Sequence, residues 1–235
     1  MSLLTVCQGV ARRIGITTPS AIVANTNDPD AMLLWELANV EGYALSQRAF
    51  WSRLRVEHTF TTLAADSQGD DSIPDDFECI VPETMFNRTA RRKVCGPISV
   101  EAWQEYKSSL IVPADPVFLQ RGDVFLMAPT QTAGQSIYYE YISTKWALSS
   151  GGAAQTEFLA DTDTTIFKDI ILKQGILWRW KAHKGLEHET DRFDYEKMVV
   201  DQILRDGVKP RLQLADTTPR MARGRATMRD YDTIS

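Results

Sequence analysis

Residues 161–207 read DTDTTIFKDIILKQGILWRWKAHKG and then LEHETDRFDYEKMVVDQILRDG, and the rest of the chain is organised around them. They predict two helices joined by a tight break. Asp161 and Asp163, with threonines beside them, offer side-chain oxygens to the free N–H groups of a starting helix, so the first helix is expected to be capped there. Ile166, Ile170, Leu177 and Trp180 fall near helical spacing, and Phe167, Ile171 and Trp178 widen that stripe. Gly185 stands where a helix ends in a left-handed residue, after the basic His183 and Lys184 that suit its C-terminal dipole. On the second helix Phe193, Val200 and Leu204 form the expected apolar stripe, flanked by Val199 and Ile203, and Gly207 stops it. Two helices this apolar need partners.

The other end of the chain supplies them. Leu3, Cys7, Val10 and Ile14 predict a helix over residues 3–14 that Gly15 ends, with Leu4 and Ala11 beside the stripe and Arg12 and Arg13 in the last turn. Asp28-Pro29 starts a second helix, with an acidic cap and proline at the first helical position. Its stripe is Leu33, Leu37, Val40 and Ala44, widened by Leu34, Ala38 and Leu45, and it is expected to run to Phe50 or Trp51.

Between these helical ends the periodicity changes. Residues 56–63 alternate as a strand, with Val56, His58, Phe60 and Thr62 on one face. Residues 77–86 and 93–98 are further strands around a basic turn, and residues 100–108 form a short helix capped by Ser99. Arg121-Gly122-Asp123 between apolar runs predicts a hairpin, and residues 137–143 alternate cleanly. The SSGGAA run at 149–154 reads as a flexible hinge.

This order predicts an α+β fold, a four-helix bundle with an inserted antiparallel β domain and an extended C-terminal tail. The expected divisions are 1–54 for the first part of the bundle, 55–150 for the β domain, 151–207 for the helical hairpin and 208–235 for the tail. The formal charge is −5, and residues 208–235 hold six basic against three acidic groups, a local +3 that leaves the body at −8. Such a split suggests that the tail meets a partner of different character. The tail has too few large apolar residues to pack by itself and reads as disordered when free.

Composition excludes several classes. No apolar run approaches the roughly 18 residues of a membrane span, and the first residues lack the order of a secretion signal. Cys7, Cys79 and Cys95 are odd in number and lack metal spacing, which reads as reduced thiols, with a Cys79–Cys95 bridge as the alternative. His183, Glu187, His188 and Glu189 resemble metal ligands in one dimension, but Gly185 breaks the helix face such a site needs. No phosphate loop and no nucleophile elbow is present, so neither an enzyme nor a cofactor is expected.

Beside a solvated tail that meets no partner, two readings remain for this segment. Arg220, Arg223, Arg225 and Arg229 could neutralise phosphates, making the chain a DNA-binding accessory protein. Alternatively they pair with carboxylates on a protein, with Met221, Met228 and Tyr231 filling apolar pockets between the ion pairs. The body's negative charge favours the second.

Pro74-Asp75-Asp76-Phe77, Asn87-Arg88-Thr89, Gly96-Pro97-Ile98, Trp103, Tyr139-Glu140-Tyr141, Asp161-Thr162-Asp163-Thr164 and the run 175–184 stand in an order that resembles the head-to-tail adaptors of short-tailed bacteriophages, the tail tubular protein A type. The resemblance covers most of residues 3–207. It implies a structural virion protein, assembled in the host bacterial cytoplasm and seated at the head–tail junction. Its partners would be the portal protein, the tail nozzle protein and its own copies in a ring, usually of twelve. The helical part would form the ring wall and meet the portal, and the β part would face outward or toward the nozzle. DNA would pass through without specific recognition, helped by an acidic lining that does not hold phosphates. No membrane is involved.

Overall fold

The computed structural model describes residues 1–25, 27–109 and 115–206. The chain is a mixed α+β protein with five α-helices and several antiparallel sheets among those residues. Helix α1 (Leu3–Ile14) has Ser2 as its cap, whose Oγ accepts from Thr5 N, and ends at Gly15 with φ +77°. Helix α2 (Pro29–Ser46) begins as expected, with the Asp28 carboxylate accepting from Asp30 N at 3.0 Å. It stops earlier than the periodicity implies. The Trp51 indole turns back to donate to Leu45 O at 2.7 Å, which uses a carbonyl that a longer helix would have kept for its own backbone.

The strands follow. β1 (Arg55–Thr61) pairs antiparallel with β7 (Ser136–Ser143) along its whole length, and β2 (Phe77–Ile80) and β3 (Phe86–Asn87) share the other edge of β7. β4 (Arg92–Lys93) extends the sheet beyond β3. The alternation read over 137–143 is realised: Ile137, Tyr139 and Tyr141 point into an aromatic core with Phe60, Phe118 and Phe125. Helix α3 (Val100–Ser108) is capped by Ser99, whose Oγ accepts from Ala102 N. β5 (Val117–Arg121) and β6 (Val124–Ala128) form the hairpin expected at Gly122.

The SSGGAA run is a hairpin turn, which corrects the hinge reading. It joins β8 (Ala147–Leu148) to β9 (Ala154–Gln155), and Ser149 N donates to Ala153 O at 2.8 Å. β10 (Thr164–Thr165) pairs with the other side of β8. Helices α4 (Asp169–His183) and α5 (Glu189–Asp206) complete the described residues.

Helix α4 is the axis of the helical part: α1, α2 and α5 each pack against it. Their core holds Leu3, Val10, Leu34, Leu45, Leu172 and Tyr195, and it takes in Trp146 and Phe158 from the segment after β7. Trp146 lies against α2 where Gly42 has no side chain to exclude it. No helix among the described residues is long and apolar enough to cross a membrane.

Candidate interaction surface

Asp161 and Asp163 do not cap α4, which starts at Asp169 behind a β-strand and has no side-chain cap. Their carboxylates serve closer backbone. Asp161 accepts from Ile22 N at 3.0 Å and Val23 N at 2.8 Å, and Asp163 accepts from Leu159 N and Ala160 N, both at 2.8 Å. The backbone carbonyls of the same two residues accept from Leu4 N at 3.1 Å and Leu3 N at 2.7 Å. Those amides are among the donors that the first turn of a helix leaves open. The aspartates therefore fasten the loop that closes the N-terminus of α1. Gly185 does hold the left-handed conformation expected of it, with φ +69°, and Gly185 N donates to Ala182 O at 3.1 Å.

Where α2, α4 and α5 meet, Glu41 is wholly buried, with 0% of its surface exposed. Its Oε2 accepts from Arg179 Nε at 2.6 Å. It fits because Gly175 of α4 has no side chain; a methyl group there would overlap the Glu41 carboxyl carbon. Burial lifts the Glu41 carboxyl above its ordinary range, against Tyr195, Arg179 and Arg48, which lower it. The Tyr195 hydroxyl lies near enough to feel that charge, yet neither it nor Glu41 Oε1 completes a hydrogen bond. Trp178 is half-buried under the Arg179 and Arg192 guanidinium groups, and Trp180 is buried, which divides the two tryptophans as their positions on the helix require.

Helix α5 is tied in along its length. Arg48, two residues past the end of α2, grips Glu196 with two bonds of 2.7 and 2.8 Å, and Lys181 pairs with Asp191. At its last residue, Asp206 accepts from Ser52 N at 2.7 Å and Ser52 Oγ at 2.9 Å. The face α5 buries is that of Tyr195 and Val199, with Ile203 partly covered. Phe193, Val200 and Leu204 look outward, and Phe193 and Leu204 are 72% and 71% exposed. The expected core stripe of α5 is thus its solvent face. Ile170 of α4 is likewise 52% exposed, while Ile171, Leu172, Gly175 and Ile176 turn inward.

The outer face of the large sheet carries a shallow groove of about 570 Å³ lined by Glu57, Phe86, Arg88, Tyr138 and Glu140 among others. Most of its charges are paired: Arg88 stacks on Tyr138 at 3.6 Å and pairs with Glu57 at 2.5 Å, Arg55 reaches Glu140 at 3.7 Å, and Lys93 reaches Glu83 at 3.2 Å. Beneath the sheet, burial raises the Asp76 carboxyl, but hydrogen bonds from Ser143 and Tyr141 and the Lys145 charge outweigh it and hold it below its usual value.

All three cysteines are free thiols, so Cys79 and Cys95 form no bridge. Burial, with Asp161 nearby, pushes the Cys7 thiol up to about 12, which keeps it from acting as a nucleophile. His188 stacks on Trp178, and its Nε2 lies 3.4 Å from Glu189 Oε1. Among the described residues no group of three or more His, Cys, Asp or Glu converges on a metal position. Arg220, Met221, Arg223, Arg225, Met228, Arg229 and Tyr231 lie outside the described residues. These geometries offer exposed helix faces on α2 and α5 and a helix end fixed at Asp206, the last described residue. The chain matches no model of a known protein family and no curated protein.

Proposed function

We propose that this chain is the head-to-tail adaptor of a short-tailed bacteriophage, a structural protein that forms a ring between the portal and the tail nozzle. In this reading α1, α2, α4 and α5 act as a four-helix bundle that makes the ring wall, and the strands face outward or toward the next tail component. Residues 208–235 run onto the portal, where Arg220, Arg223, Arg225 and Arg229 meet carboxylates. The ring extends the DNA channel and helps retain packaged DNA, without catalysis and without a cofactor.

The resemblance of the ordered motifs supplies the partner. The structural observation that supports it is the junction at Asp206. Helix α5 is held to Arg48 and to Ser52 up to its last described residue, and an arginine-rich segment of net charge +3 follows in the sequence. A segment so poor in apolar surface does not offset the ordering cost of about 1–2 kcal/mol per residue without an external surface. Its 28 residues span on the order of 90 Å at about 3.3 Å each, enough to cross onto a partner. The test is binding of the full chain and of a 1–207 truncation to purified portal over a range of salt. The truncation is expected to fold normally and to lose most of its attachment. Attachment at full affinity across the salt range would remove the tail as the anchor.

A further inference from the structure

Two helices on different sides of α4 each present an apolar stripe to solvent. On α2, Met32, Val40 and Tyr43 are exposed on one side, and Leu34, Ala38 and Leu45 are buried on the other. On α5, Phe193, Val200 and Leu204 are exposed opposite the buried Tyr195 and Val199. Helix α2 meets α4 at Gly175 and Arg179, whereas α5 meets it at Gln174 and Lys181. The stripes therefore look outward in different directions. Each spans three turns, about 16 Å at 1.5 Å per residue.

One charged side chain sits within each stripe, and the two are of opposite sign, with Asp194 and Asp201 flanking the α5 stripe. Glu36 lies within the α2 stripe and Lys197 within the α5 stripe, both exposed and neither in an ion pair among the described residues. A row of large apolar side chains on an otherwise polar helix face marks a protein contact. Pairing α2 with α2 leaves Glu36 facing a stripe with no basic group, and pairing unlike stripes resolves both charges. We propose that the α2 face of one copy docks on the α5 face of a second copy, a head-to-tail contact in which Glu36 pairs with Lys197.

Because the two patches differ and face different ways, the contact repeats, and such a repeat closes into a ring or runs on as a filament. A single helix-on-helix contact is smaller than the roughly 1,200 Å² of a stable interface, so it is weak for an isolated pair. A scaffold that lines up the copies raises their effective concentration and strengthens it. The inference names the neighbour contact of the proposed ring and rests on that reading only for closure.

Sedimentation velocity over a concentration series tests it with two double variants. Val40→Ser/Tyr43→Ser spoils the α2 face and Phe193→Ser/Leu204→Ser spoils the α5 face. All four positions are exposed, so both variants are expected to keep the wild-type melting temperature; single Tyr43→Ser and Phe193→Ser replace any that does not. The wild type should be monomeric when dilute and grow through dimers to larger species when concentrated. Each variant alone should stay monomeric, and an equimolar mixture should stop at a one-to-one dimer, because each partner keeps one working face. Glu36→Lys and Lys197→Glu should each weaken association, and their combination should restore it. A wild type monomeric at every concentration, a variant that associates like the wild type, or a mixture that stays monomeric overturns the contact. A portal-bound ring untouched by both variants overturns it too, and leaves the adaptor reading standing. Capped dimers in the mixture without any portal binding support the contact and count against the adaptor reading.

Discussion

Gly175 lacks a side chain because Glu41 occupies the space one would fill. Helix propensity alone favours alanine over glycine there by about 1 kcal/mol, but the overlap with a fixed carboxylate costs about 1–3 kcal/mol. Gly175→Ala should therefore lower stability, as read by chemical denaturation, and a gain would contradict this packing. Glu41 sets a pH dependence as well. Its folded pKa lies above its ordinary 4.5, so the unfolded chain ionises first. The contribution of Glu41 is full below pH 4.5 and declines as pH rises through the folded value. Glu41→Gln keeps the shape without the ionisation, so melting temperatures across pH should show the wild type losing ground to the variant as pH rises from that window. Parallel curves would show that Glu41 does not carry this linkage. Neither residue could be singled out in the sequence. Glu41 sits in a helix whose expected buried stripe, Leu33, Leu37, Val40 and Ala44, gives way to the flanking Leu34, Ala38 and Leu45, with Val40 exposed, and nothing local says that a carboxylate at position 41 turns inward with them toward Arg179.

At the scale of elements, what was legible is what local chemistry decides. The caps Ser99 and Asp28, the stop at Gly15, the hairpin at Gly122 and the alternation of β7 each follow from a few neighbouring residues. Gly185 belongs with them. A β-branched residue at φ +69° is strained, and Gly185→Val should lower stability by about 1 kcal/mol or more. An unchanged melting temperature would count against the turn. The start of α4 and the face of α5 were misread for a common reason: their determinants are far away in the chain. Asp161 and Asp163 have the composition of a cap, yet Ile22, Val23 and the first turn of α1 claim their oxygens. Phe193, Val200 and Leu204 have the period of a buried stripe, and Tyr195 and Val199 take that place because Arg48 and Lys181 fix the rotation of α5 from the sides. Periodicity finds a helix and its apolar rows, but which row meets the core is decided by the partner.

For the whole molecule, the helical core and the two β-side cores each lie within one copy. The free protein is accordingly expected to be monomeric when dilute and to assemble on a partner, and light scattering that shows a stable dodecamer in dilute solution would contradict this. The central claim is that the chain builds a ring on a portal, and electron microscopy of the full chain mixed with a purified portal protein of a short-tailed bacteriophage, the one used in the truncation test, tests that most directly. The account predicts a closed ring of copies on one end of the portal, coaxial with its channel. Portals that remain bare, or copies scattered singly without closure, would contradict it.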